Sequence, residues 1–163
     1  MVISLITTFT IGVVGYININ QMHSINSDVS SNVIPKLKDW GDVNGDMGVL
    51  RNTLTKIIDR PFDEANETGM LDLNSKISTI MNKQVIASQG DAKESALVKS
   101  AKDAYENYYS FIPGIIDKRK QNLVPDKKIT NIDMGVFGTA LAKNITDLVN
   151  YQNNTAQIQN EDR

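Results

Sequence analysis

Between Ile25 and Ile57 an apolar side chain returns every three or four residues, at Ile25, Val29, Val33, Leu37, Trp40, Val43, Met47, Leu50, Leu54 and Ile57. That spacing keeps one face of a helix apolar along its whole length and predicts one long amphipathic helix running to about Asp59. Pro35 should bend it or free a carbonyl, because proline has no N–H to donate and its ring crowds the preceding turn. Arg60-Pro61 then turns the chain. Phe62, Ala65, Leu73, Ile77 and Ile80 outline a second helix, weakened near Gly69 and stopped at Ser88-Gln89-Gly90. Asp91 with Glu94 three residues on has the form of a capping box, and Leu97, Ala101, Ala104, Tyr108, Phe111 and Ile115 carry a third stripe, with a kink expected at Pro113-Gly114. Beyond Asn122 to Asp126, the residues Met134, Phe137, Leu141, Ile145, Leu148, Tyr151 and Ile158 mark a fourth helix to the end of the chain. No run alternates as a strand would.

Ahead of the first stripe, Val2 to Ile17 is apolar apart from Ser4, its threonines and two glycines, and no charged side chain precedes Asp28. The run is shorter than the roughly 20 residues of a spanning helix, with neither a basic flank nor a small-residue cleavage site. It reads as the outer part of a transmembrane helix cut at its cytoplasmic end. The division expected is therefore 1–22 as partial transmembrane helix and membrane exit, and 23–163 as a four-helix bundle. At about 1.5 Å per residue the four helices are long enough to lie side by side. Short connections near Pro61, Gly90 and Pro125 force neighbours to run oppositely, so the expected fold is all-α, an antiparallel up-down-up-down bundle. Its first and last helices both point at the membrane, and the chain stops where a second span would begin.

Composition narrows the chemistry. The 163 residues hold no cysteine and one histidine, His23, which removes thiolate sites, disulfides and any site needing two imidazoles. A net charge of −2 and 6% aromatic residues supply neither a basic field nor stacking platforms, so no nucleic-acid partner is expected. Paired carboxylates with a Glu-x-x-His motif, the mark of a di-iron bundle, are missing too. Neither enzyme activity, cofactor nor metal is expected. The one metal-like motif, Asp42-Val-Asn44-Gly-Asp46, resembles the start of a calcium loop but has Met47 where glycine must turn the chain and Thr53 where a bidentate carboxylate must stand.

Several features together resemble a known family. Ile34-Pro35-Lys36-Leu37 follows the membrane segment, Leu50-Arg51 closes an apolar stripe, Asp59 to Glu64 forms an acidic turn, and Ala104 to Phe111 is tyrosine-rich. This arrangement is similar to the extracytoplasmic four-helix-bundle sensor domain of bacterial methyl-accepting chemotaxis proteins, over nearly the whole chain. The glycines Gly41, Gly45 and Gly48 depart from the commoner pattern. The resemblance implies a homodimer in the cell membrane that senses a small ligand, or a ligand-loaded binding protein, outside the cell. The last helix would shift slightly against the first and carry that signal across the membrane. A histidine-kinase sensor domain shares the architecture, and a membrane-anchored structural bundle without ligand is a further alternative.

Candidate functional residues lie beside the first stripe. Gly41, Gly45 and Gly48 share one face where small residues let two helices approach, a candidate dimer interface, the alternative being local helix weakening or a bend with no partner. Asn44, Gly48, Arg51 and Thr55 form an adjoining polar stripe. Arg51 has the planar five-donor fork that suits a carboxylate, and Asn44, Thr55 and Tyr109 from the third helix are the expected ligand-binding neighbours. The resemblance adds that related receptors bind small anions through first-helix arginines at the dimer interface. The competing expectation is a solvated Arg51 paired with Asp46 or another surface acid. Lys118-Arg119-Lys120 is expected to be a solvated helix end.

Overall fold

The computed structural model describes residues 27, 29–126, 128–130 and 134–161, and every regular element among them is helical. The run expected to enter the membrane, 1–22, and His23 lie outside the described residues. Among the described residues no helix is long and apolar enough to cross a membrane. By its contacts the chain divides into two compact units, Lys38–Tyr151 on the one hand and Met1–Leu37 with Gln152–Arg163 on the other.

Five α-helices follow a π-helical stretch at Val29–Val33: α1 Ile34–Asp59, α2 Glu64–Ala87, α3 Ala92–Tyr109, α4 Ile112–Lys120 and α5 Met134–Glu161. In the smaller unit the π-helical stretch directly precedes Pro35, whose missing N–H leaves a carbonyl in the preceding turn without its usual donor. Val33 and Gln152 are the buried side chains of this unit.

Helix ends in the larger unit follow local chemistry. Asp63 stands in extended backbone ahead of α2 and its Oδ1 accepts from the Ala65 N–H at 3.0 Å, while Glu64 and Glu67 favour the positive end of the helix dipole. Asp91 caps α3 as its spacing predicts, accepting from the N–H groups of Lys93 at 2.9 Å and Glu94 at 3.0 Å. The bend expected at Pro113-Gly114 falls instead at Ser110-Phe111. Proline is tolerated in a first turn, where its N–H would have no partner, so the helix ends early and restarts with Pro113 in the opening turn of α4. Beyond α4, Asn122 takes a left-handed backbone (φ 57°), and the N–H groups of Asn122 and Leu123 return to the carbonyls of Arg119 at 3.0 Å and Lys118 at 2.8 Å. This is the Schellman ending, with asparagine where glycine is usual.

The apolar stripes meet in one core that includes Trp40, Leu50, Ile57, Met70, Ile77, Met81, Ile112, Leu141 and Leu148. On α2 the fully buried positions are Met70, Ile77, Met81 and Gln84, and Ala65 is exposed. Gln84 is tolerated there because its Nε2 donates to Asp39 Oδ2 at 2.6 Å, and that carboxylate also receives Lys83 at 2.7 Å. Polar pairs between α1 and α2 step in opposite senses, Asp39 with Gln84 and Asp46 with Lys76. Between α3 and α5 the same holds, Asp91 with Tyr151 and Ser100 with Asn144.

Candidate functional site

Arg51 follows Leu50, which is wholly buried, so its stem leaves the edge of the core while its head reaches past it. The guanidinium crosses to α5, where Nη2 donates to the Gly138 carbonyl at 3.1 Å. A Cβ at Gly138 would make ordinary contacts, 3.5 Å from Arg51 Nη2 and 3.5 Å from the Tyr108 ring. Tyr108, from α3, completes the group. Burial pushes its phenol up from the ordinary tyrosine value, and the adjacent Arg51 cation draws it part of the way back. At ordinary pH its hydroxyl is therefore neutral and keeps a proton to donate.

These three residues stand at one wall of a cleft of about 470 Å³, open to solvent, between α1, α3, the 128–130 turn and α5. That is within the range of small-molecule sites, ~300–1,000 Å³. Leu54, Ile58, Met134 and Ala142 make its apolar part, and Thr55, Thr130 and Thr139 add hydroxyls. The hydroxyls donate to backbone carbonyls of their own helical turns, Thr55 to Arg51 at 3.0 Å, Thr139 to Gly135 at 2.8 Å and Thr130 to Asp126 at 3.3 Å. A threonine bonded back in this way has its proton engaged, which leaves its oxygen able to act as an acceptor.

Among the described residues lining this cleft, Arg51 is the charged one. Asp46, its expected partner in the surface reading, instead pairs with Lys76 at 2.9 Å. Among the described residues no carboxylate forms an ion pair with Arg51. Among the described residues its positive charge is met by the dipoles of a carbonyl and a phenol.

Of the expected ligand residues, Arg51 and Thr55 line the cleft together. Asn44 is exposed elsewhere on α1, and Tyr109 is half-buried with its ring centroid 6.0 Å from that of Tyr105. Tyr108, Gly138 and Thr139 are among the cleft residues that were not expected at the site. Tyr108 was assignable to the core by spacing, and it is buried, at 4% exposure, while it also lines the cleft. Gly135 and Gly138, unfavourable inside a helix, were the available signal on α5.

The remaining candidates are placed as follows. Gly41, Gly45 and Gly48 are exposed, and a Cβ at any of them would meet nothing within 4 Å. Asp42 pairs with Lys38 at 2.6 Å, so both carboxylates of the calcium-like segment have lysine partners on a regular helix. Among the described residues no group of three acidic or imidazole side chains could hold a metal. Arg119 is more than a solvated helix end: Nε donates to the Ile57 carbonyl at 3.1 Å, Nη1 to Leu123 at 3.4 Å and Nη2 to Arg60. It therefore ties the end of α1 to the turn after α4.

Compared with known families, the chain matches the one described as a four helix bundle sensory module for signal transduction, over residues 1–163. No curated protein and no solved structure matches it.

Proposed function

The chain belongs to the four-helix-bundle sensory modules of signal transduction, and from that premise we propose that it is the non-catalytic, extracytoplasmic ligand-sensing domain of a membrane chemoreceptor, taking a small anion at Arg51. The observation that carries the reading is Arg51 itself. Arg51 lines the cleft, pairs with no carboxylate among the described residues, and at the same time donates to a carbonyl on the last helix.

That double engagement supplies a mechanism. A ligand carboxylate would accept two parallel N–H bonds from the fork, and such charge-assisted bonds are stronger than the bond to the neutral Gly138 carbonyl. An anion in the cleft thus competes for the donor that ties α1 to α5. It favours whichever arrangement of those helices suits the ligand-bound fork, a population shift whose size equals the ligand's differential affinity for the two arrangements. Opposite steps of the polar pairs support the up-down-up-down order, which sends the last helix back along the first.

The proposal includes a homodimer in the membrane, formed through Gly41, Gly45 and Gly48, whose open surroundings leave room for a second helix. Gly45→Leu should disrupt pairing without unfolding the bundle, and an unchanged monomer–dimer balance in sedimentation would remove this part. For the ligand, a thermal-shift screen of small anions followed by titration is the test. Arg51→Ala should abolish the response, and Arg51→Lys should restore charge without the planar fork and recover part of it. Equal affinity for the parent and Arg51→Ala would place the site elsewhere.

A further inference from the structure

Resting on the reading of the Arg51 cleft as the sensing site, we infer that the hydrogen bond between Tyr151 and Asp91 is a latch on the last helix, which holds α5 in its ligand-free position until an anion at Arg51 outweighs it.

The bond joins α5 to the start of α3. The Tyr151 hydroxyl donates to Asp91 Oδ2, while Asp91 Oδ1 accepts from the N–H groups of Lys93 at 2.9 Å and Glu94 at 3.0 Å. The Lys93 ammonium lies 5.1 Å from the centre of the Tyr151 ring, so ring and hydroxyl are both engaged. A carboxylate acceptor makes this a charge-assisted bond, stronger than the bond from the Asn144 amide to the Ser100 carbonyl that also joins α3 and α5. Tyr151 is the last residue of the larger unit and α5 runs on to Glu161, so a displacement passed along this helix leaves the unit at the latch.

Two properties make it a latch and not a permanent brace. Apolar contacts slide, whereas an O–H···O bond weakens steeply over the about 1–2 Å that a signalling helix moves. The bond can also open without stranding a charge. Asp91 keeps its two N–H partners and the positive end of the α3 dipole when the phenol withdraws, and both residues are only half-buried, so water can replace either partner. Closed and open states then differ by little more than one hydrogen bond, a gap that a ligand can invert.

The Arg51 bond to the Gly138 carbonyl lies about 20 Å from Tyr151 along α5, at about 1.5 Å per residue. An anion that draws off that donor loosens one tie and leaves the Tyr151 bond opposing the shift. By reciprocity, removing the latch strengthens anion binding at a distance.

The experiment uses the full chain in mild detergent and Tyr151→Phe, which deletes the hydroxyl but keeps the ring beside Lys93 and the Asp91 cap. Because the sequence has no cysteine, Asn107→Cys and Thr146→Cys, at exposed positions of α3 and α5, take spin labels cleanly. Expected is one interlabel distance in the parent and, in Tyr151→Phe without ligand, a second population displaced by about 1–2 Å. Acetate, 2-hydroxypropanoate, succinate and inorganic phosphate are then titrated. Any of them whose binding is lost in Arg51→Ala should bind about three- to tenfold more tightly to Tyr151→Phe, because more of the chain is already competent. A plain brace would lower the thermal midpoint and leave that affinity unchanged. The latch is overturned if the Tyr151→Phe distances match the parent's, or if they change while an Arg51-dependent anion binds no more tightly. If the distances change and no anion depends on Arg51, the latch on α5 stands and the reading of the cleft falls.

Discussion

Tyr105 and Tyr108 are neighbours on α3 and almost equally buried, at 2% and 4% exposure, yet they belong to opposite kinds of environment. Tyr105 is in a closed seam against α2, where its hydroxyl donates to Asn74 Oδ1 at 2.8 Å and its ring lies against Tyr109. Burial, with the neighbouring phenols, drives its ionisation far above the ordinary tyrosine value. Tyr108 faces α1 and α5, and there a cation stands beside the phenol and the wall opens to solvent. A satisfied pair of neutral polar groups seals a seam; a cation with no carboxylate partner leaves a place for one. Burial alone does not separate a structural polar residue from a functional one, whereas the partner list does.

The sharpest way to break this comparison is to remove the cation. Arg51→Ala should weaken binding of an anionic ligand by about 2–5 kcal/mol, measured by calorimetric titration, because a charge-assisted pair is lost. Its thermal midpoint without ligand should stay near that of the parent, since Arg51 is exposed and its hydrogen bond across to α5 goes to a neutral carbonyl. A strongly destabilised Arg51→Ala would mean that the arginine is a brace, as Arg119 is, and the contrast with Tyr105 would vanish.

Next in size is the seam. Tyr105→Phe removes the closer of two donors to the part-buried Asn74 amide oxygen, leaving Ser78 Oγ at 3.5 Å, and should cost about 0.5–1.5 kcal/mol in urea unfolding, with ligand binding unchanged. Alkaline pH probes the same point. Both tyrosines have folded-state values raised above 10.0, so the fold prefers the neutral phenol; stability is present in full below that value and falls as pH climbs toward the folded-state values. Tyr105→Phe should flatten the alkaline loss more than Tyr108→Phe does, by equilibrium unfolding above pH 10. The reverse order would overturn the assignment of closed and open sides.

Smaller effects sharpen the cleft side. Tyr108→Phe should cost under about 1 kcal/mol of stability, because the residue lines a cleft open to solvent, but should weaken anion binding several-fold. Gly138→Ala should raise stability by about 0.5–1 kcal/mol, since the added methyl makes ordinary contacts at 3.5 Å and relieves the cost of a helical glycine. It narrows the cleft at the fork, so affinity should fall modestly in the same titration. If Gly138→Ala destabilises, Arg51 and Tyr108 are held more tightly there than those distances imply.

What the sequence determined by itself was whatever short-range physics decides. The spacing of Trp40, Val43, Met47, Leu50, Leu54 and Ile57 marks a helix face whatever packs on it, and all six are buried. Asp91 caps α3 because a carboxylate two and three residues ahead of free N–H groups needs no tertiary partner, and α1 ends at Asp59 before Arg60-Pro61 for equally local reasons. Arg51 and Thr55 were legible as a pair because they are one helical turn apart. Their partners were not. Gly138 is 87 residues from Arg51 in the chain, and whether it, Tyr108 or Tyr109 meets the guanidinium depends on how far each helix is rotated about its own axis. The break at Ser110-Phe111, earlier than the proline suggests, interrupts the helical phase that sequence spacing would carry across it. Local periodicity says which face of a helix is buried; only packing of all the helices decides which edges of those faces touch, and at Arg51 that edge is the candidate site.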